Sequence, residues 1–184
     1  MEKIIIEYIK DLIIKKDLKA IYKEYEKNSK LEFVDNVLKN IDKYVIKIEK
    51  TSENYIQKTW RLNFESYKNM DYYSEICFSK IIPLYYLEHS FIYNDYNDDN
   101  MDKDIGNTYN FPLIKKQKIV QDNILGSLKD KNYIRYFYDE GIDNIKSALE
   151  IKDGSFTIMD GEQYSIDDIF FKGKLQFLLR NSDK

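Results

Sequence analysis

From Tyr55 to Tyr93 apolar and polar residues alternate, and the rest of the chain is most simply read as packing around this stretch. Trp60, Leu62 and Phe64 interleave with Thr59, Arg61, Asn63 and Glu65, a period of two that predicts a strand with one face on a core and the other in water. Polar, turn-tolerant residues at Tyr67–Asp71 break the pattern, and Tyr72, Ser74, Ile76 and Phe78 resume it on a second limb. Pro83 cannot donate to a central ladder and so marks a strand start, a bend or an edge. Beyond it Tyr85, Leu87, His89, Phe91 and Tyr93 form a third limb. The prediction is an antiparallel β-meander over residues 55–93.

Elsewhere the apolar spacing is helical. Ile5, Tyr8, Ile9, Leu12 and Ile13 predict an amphipathic helix over Glu2–Lys16. Leu18, Ile21, Tyr22 and Tyr25 continue the spacing past Asp17, which either caps a second helix or lies inside one long one. Ser29 and Glu32 have the separation of a capping box, in which a hydroxyl and a carboxylate each satisfy the other residue's free amide. Behind it Val34, Leu38, Ile41, Val45 and Ile48, broadened by Val37 and Tyr44, draw a stripe that predicts a helix over Ser29–Glu49. Such a stripe serves either as a core face or as a partner-binding face. Pro112 suits a first helical turn, and Leu113, Val120, Ile124 and Leu128 predict a central helix over residues 112–128, weakened slightly by Gly126. Tyr133–Tyr138 is apolar nearly all round and is open to either assignment, helix or strand. Asp153-Gly154 between Leu149–Lys152 and Ser155–Met159 predicts a small C-terminal hairpin, and Ser165–Asp168 reads as the cap of a short helix carrying Ile169, Phe170, Phe171 and Leu175. The predicted class is α+β in one domain, 1–184: a meander with N-terminal helices, a central helix and a C-terminal hairpin.

Composition narrows the function classes. A chain of 184 residues closes a substantial core without disulfides or metal, and the single cysteine, Cys77, has no intramolecular partner. No charged-then-apolar signal opens the chain and no apolar run approaches the roughly 20 residues of a membrane span, so a cytoplasmic protein with no membrane role is expected. The net charge is −3 and the basic residues are nearly all lysine, with arginine only at Arg61, Arg135 and Arg180. Nucleic-acid sites lean on the planar fork of arginine, so no nucleic-acid partner is expected. The 17 tyrosines accompany abundant Lys, Ile and Asn, a bias typical of A+T-rich coding sequence, and by themselves argue nothing about binding.

Candidate chemistry is sparse. The stretch Asn94–Asp104 is dense in oxygen ligands; Asp95, Asn97 and Asp99 fall at the alternating positions of a calcium loop. Asn100, however, stands where the sharp turn needs glycine, and Gly106 where the bidentate glutamate belongs, so the stretch reads as a solvated acidic loop with at most adventitious cation binding. His89 is the one histidine, and if the strands pair across Pro83 it could neighbour Cys77 as a nucleophile–base dyad; the bland alternative is a buried thiol and a hydrogen-bonded strand histidine. The six glycines build no phosphate loop, and the acid pairs Asp139-Glu140, Asp160 with Glu162, and Asp167-Asp168 suit turns and caps better than catalysis. No cofactor, no metal site and no catalytic residue is predicted.

The size, class and order of features, namely N-terminal helices, the W-x-L-x-F strand, the FSKIIPLYYLEHSF strand region and the late DGEQYSIDDIFF segment, are similar to those of the immunity proteins with which bacteria neutralise polymorphic toxins. The resemblance implies a non-enzymatic protein that binds a toxin domain and blocks its active site or an essential surface. Independently of it, clustered carboxylates attract a basic partner and tyrosines offer contact area with a hydrogen-bonding end. The expected partner site is Tyr93, Asp95, Tyr96, Asp98, Asp99, Asp102, Asp104 and Tyr109, and the expected partner another protein, such as a basic toxin domain. The competing expectations are an enzyme or small-ligand protein with Trp60, Tyr72, Tyr85 and Tyr86 lining a pocket on the sheet, and a subunit that oligomerises through a strand edge or the Ser29–Glu49 helix.

Overall fold

The computed structural model describes residues 31–53, 57–93 and 108–137, together with Glu7 and Lys23, both helical. The meander is present: β2 (Gln57–Asn63), β3 (Met70–Ser79) and β4 (Leu84–Tyr93) pair antiparallel in sequence order. Of the alternating residues, Trp60, Leu62, Phe64, Ser74, Ile76, Phe78, Tyr85, Leu87 and His89 are buried, whereas Tyr72 and Phe91 are half-buried and Tyr93 is exposed. The β2–β3 connection is a two-residue turn closed by Tyr67 and Met70, whose amides and carbonyls bond reciprocally at 2.9 and 3.1 Å. Lys68 and Asn69 both have φ near the left-handed value, 51° and 61°, the backbone that matches the right-handed twist of a hairpin. Between β3 and β4 the buried bend carrying Ile81 and Ile82 directs both of their amides at the Ser79 hydroxyl, at 3.3 and 3.4 Å. Those donors would otherwise be unpaired.

Two strands, β1 (Lys47–Glu53) and β5 (Ile134–Arg135), extend the meander, among the described residues, to a five-stranded mixed sheet in the order β1-β2-β3-β4-β5. β1 is antiparallel to β2, with a bulge between Lys50 and Ser52. β5 lies parallel to β4, held by Ile134 N–H to the Pro83 carbonyl at 2.8 Å and Tyr136 N–H to the Tyr85 carbonyl at 2.7 Å. Tyr133–Phe137 is therefore strand and its flanks, with Tyr136 buried.

The helix predicted over Ser29–Glu49 is corrected at both ends. Helix α1 spans Glu32–Ile41, not Ser29–Glu49; it closes in a 3-10 turn at Asp42–Tyr44, and the chain then enters β1. Val45-Ile46-Lys47-Ile48 is rich in β-branched residues, which lose rotamer freedom in a helix and pack well on a pleated surface, so the strand wins there. Val45 and Ile48 still reach the core, which is why their spacing imitates a continued helix. Leu31 is the N-cap, in left-handed backbone, and Glu32 opens the helix instead of standing three residues inside it as a capping box requires.

Helix α2 spans Lys115–Leu128 and buries Val120, Ile124 and Leu128 as predicted. It begins after Pro112, and Leu113 is a half-buried residue of the approach. The start is fixed by Gln117, whose Oε1 accepts from the Leu113 and Ile114 amides at 2.8 and 3.2 Å while its Nε2 donates to the Tyr73 carbonyl at 2.9 Å. Side chain and sheet thus cap the helix together. Helices α1 and α2 pack on one another and on one sheet face, and among the described residues their apolar side chains join one core. Nothing lies within 4 Å of where a Cβ would stand on Gly126. Gly126→Ala is accordingly expected to stabilise the protein by about 0.5–1 kcal/mol, read as a raised urea midpoint at unchanged slope. A lowered midpoint would show that the helix is strained at that turn.

The predicted helices over Glu2–Lys16 and Leu18–Tyr25 (apart from Glu7 and Lys23), residues 54–56, the acidic stretch from Asn94, and the C-terminal hairpin and short helix lie outside the described residues.

Candidate functional site

Pairing across the β3–β4 bend decides which chemical groups meet. Ser74 stands opposite His89 and Cys77 opposite Tyr86, so Cys77 and His89 lie on opposite faces of the sheet. The Cys/His dyad is absent because the two residues are three positions out of register, and an odd offset puts them on opposite faces. Cys77 is buried instead among polar partners: its Sγ accepts from Thr59 Oγ1 at 3.2 Å and donates to Gln57 Oε1 at 3.1 Å. Burial, with the thiol and then the carboxylates of Glu88 and Glu75 nearby, raises the Tyr86 hydroxyl well above its ordinary range. On this same face Arg61 binds Glu75 at 2.9 Å and lies 4.5 Å over the Tyr73 ring, and Asn63 donates to Glu49. Arg61 offsets the repulsion between Glu75 and Glu88, which face each other directly across the strands.

The core face holds a polar chain that the sequence did not announce. Ser74 Oγ lies 2.8 Å from His89 Nδ1, His89 Nε2 lies 3.1 Å from Gln121 Oε1, and Arg135 Nη1 donates to that same Oε1 at 3.1 Å. Arg135 Nη2 donates further to the carbonyls of Leu87 at 2.6 Å and Asn110 at 2.9 Å. Its guanidinium also stacks on Phe137 at 4.7 Å. Because a guanidinium only donates, it fixes the polarity of the whole chain. Gln121 must present oxygen, His89 must carry its proton on Nε2, and Nδ1 must accept from the Ser74 hydroxyl. Burial above all, with the Arg135 charge adding to it and the Gln121 hydrogen bond opposing, depresses the His89 imidazole to about 4. It is neutral at pH 7.

Serine, imidazole and an orienting amide in line have the connectivity of a nucleophile, its base and the group that aligns the base. Ser74 and His89 are both fully buried, though, so no substrate carbonyl reaches Oγ, and the chain serves as a tie between elements. It joins β3, β4, α2 and β5 to the segment Thr108–Asn110. The signal for it lay in α2: Gln117 and Gln121 occupy the buried helical line beside Val120, Ile124 and Leu128, where an amide needs a specific partner.

Of the expected partner-site residues, the structure describes Tyr93 and Tyr109; Asp95, Tyr96, Asp98, Asp99, Asp102 and Asp104 lie outside the described residues. Tyr93 ends β4 and is 41% exposed, opposite Met70, which in turn bridges Tyr67, 60% exposed. Tyr109 lies beside β4, exchanging both backbone hydrogen bonds with His89 at 2.8 Å, and its ring contacts the exposed Phe111. Ser90 Oγ donates to Thr108 Oγ1 at 3.3 Å. Strand β4 thus ends at Tyr93, Thr108 and Tyr109 lie against the same strand, and exposed aromatic rings stand at both ends of the acidic stretch.

The four residues expected to line a ligand pocket do not share a face. Trp60 and Tyr85 belong to the core under the helices and Tyr72 packs against it, whereas Tyr86 is on the other side. Between α1 and β1 there is an open groove of about 390 Å³ lined by Asp35, Leu38, Lys39, Asp42 and Ile48. Among the described residues no three His, Cys, Asp or Glu side chains converge as metal ligands, and no helix is long and apolar enough to cross a membrane. No protein-family model, curated protein or solved structure matches the chain.

Proposed function

We propose that the protein acts by stoichiometric binding of another, basic, protein through the surface around residues 93–109, as an immunity-type protein binds a toxin domain. The observation that carries this reading is the fixing of both ends of the acidic stretch on one strand, between exposed rings at Tyr93 and Tyr67 on one side and Phe111 on the other. In sequence Asp95, Asp98, Asp99, Asp102 and Asp104 fall between these two anchors, and the fields of clustered carboxylates add and steer an oppositely charged partner. Aromatic rings at the border supply the desolvated anchors that charge alone does not.

The test uses the protein encoded immediately upstream, purified as a pair with this chain. A one-to-one complex is expected by size exclusion with light scattering. Replacing Asp98, Asp99, Asp102 and Asp104 together by Asn should slow its association about tenfold or more at low salt and flatten the salt dependence, with the fold intact by circular dichroism. An unchanged association rate in low salt would remove the acidic stretch from the site, and a basic neighbour that forms no complex would remove the function.

A further inference from the structure

We propose that the chain Ser74–His89–Gln121–Arg135 is a proton-operated latch that holds residues 108–110 against β4 and opens when His89 takes up a proton. The segment it holds is the return limb of the acidic stretch. His89 bonds that limb through its backbone, by the paired amides with Tyr109, while Arg135 bonds it through the Asn110 carbonyl. Side chain and backbone of one histidine thus belong to one cooperative unit.

The donor count makes the unit sensitive to an added proton. In the neutral state the imidazole and amide acceptors are both used: Nδ1 by Ser74, and Gln121 Oε1 by both His89 and Arg135. The cluster is already donor-rich, since Arg135 Nε is buried with no acceptor among the described residues. A proton on Nδ1 turns the one imidazole acceptor into a donor and faces it with the Ser74 hydroxyl, whose own hydrogen must then turn away into the core. It also creates a second cation one amide oxygen away from the guanidinium. Among the described residues, the groups around the ring are Ser74 from β3 and Gln121 from α2, with Arg135 from β5 on the same amide oxygen; Tyr85, on the same face of β4, has its hydroxyl raised by burial and interacts with Arg135. The carboxylates of Glu75 and Glu88 are on the opposite face of the sheet. No facing group carries the negative charge that would stabilise an imidazolium. If the partner-binding reading above holds, acid then weakens partner binding by freeing the limb that follows the acidic stretch in sequence.

Neither the partner nor that reading enters the test. The chain has one histidine, so the ring gives a single titrating NMR signal, and the paired amides of Tyr109 and His89 report the limb directly. Between pH 7 and 4 the Tyr109 amide protection factor, corrected for intrinsic exchange, is expected to fall at least tenfold in step with the ring titration and before far-UV circular dichroism changes. His89→Gln, which keeps a polar side chain but does not titrate, should abolish that step. Gln121→Glu supplies the missing negative acceptor: the ring midpoint should rise by at least one pH unit while protection survives protonation. A ring that titrates with Tyr109 protection unchanged would overturn the latch, as would the same loss in His89→Gln. Should that variant not fold, a Gln121→Glu protein that opens at the wild-type pH overturns it equally. Any of these failures leaves the binding of a basic partner standing, and loss of that binding leaves the latch standing.

Discussion

Phe78→Ala should lower the unfolding free energy by about 3–5 kcal/mol. Phe78 is fully buried at the middle of the core, with the rings of Phe33, Tyr85 and Tyr133 each 5.7 Å from its own and Trp60 at 6.0 Å. Three of these contacts are edge-on, the arrangement in which ring quadrupoles attract. Truncation removes the transfer free energy of the ring and leaves a cavity that four other aromatic side chains, drawn from α1, β2, β4 and the approach to β5, line from different directions. They cannot all relax inward together. Against a typical domain stability of about 5–15 kcal/mol the loss is severe, and for a chain of this size it corresponds to a fall in Tm of roughly 10 °C. Phe78→Leu, which keeps most of the volume, should cost clearly less. Urea unfolding followed by the fluorescence of Trp60, the sole tryptophan, measures both variants. A loss below 1 kcal/mol for the alanine variant would mean that the ring cluster is loosely packed.

Acid should destabilise the protein in two steps. His89 has a folded value near 4 against an ordinary 6.5, so between those values the unfolded chain binds the proton that the folded one refuses. Its contribution is complete above about pH 6.5 and lost as the pH falls through 4. A shift of that size amounts to about 3 kcal/mol. Glu53 follows at lower pH. Its carboxylate is bound by Lys50 at 2.8 Å, Lys58 at 3.1 Å and Lys80 at 3.3 Å, which hold it at about 2 in spite of partial burial. Its contribution is present above its ordinary value and lost as the pH falls through 2. Urea midpoints measured from pH 7 to pH 3 should therefore decline from about pH 6 onward, and in His89→Gln the first decline should disappear. A wild-type midpoint that stays flat between pH 6.5 and 4.5 would mean that His89 is solvated.

Much of the sheet was legible because its strands are buried on the helix side and polar on the other, the condition under which alternation survives in sequence. β1 was hidden by coincidence of phase. Val34, Leu38, Ile41, Val45 and Ile48 keep helical spacing across a helix–strand junction, and only the β-branched run at Val45–Ile48 marks the change. β5 was illegible for a different reason: a short parallel strand beside aromatic residues has no polar phase, and its place is decided by the Pro83 and Tyr85 carbonyls far back in the chain. The polar chain on the core face depended on register. Whether His89 meets Ser74 or Cys77 turns on the conformation of the bend Lys80–Pro83, and residue types alone leave it open. The role of Arg135 was masked by the aromatic run around it, although a guanidinium among apolar residues requires acceptors, which it finds in Gln121 and two carbonyls.

The order of the strands also bears on how the chain folds. Four strands meet their neighbours locally, and the tightest connection, Tyr67–Met70, closes over only Lys68 and Asn69. β5 reaches β4 only after the excursion from Leu84 to Ile134, a closure that costs about 2 kcal/mol more in chain entropy than a hairpin. Local pairs should therefore nucleate folding and the parallel pair should close late, with φ-values higher in β2 and β3 than at Ile134; the reverse order would contradict it. On this route Arg135 is delivered last, so the rising chain first assembles a meander in which His89 faces Ser74 and only afterwards acquires the cation that fixes its tautomer.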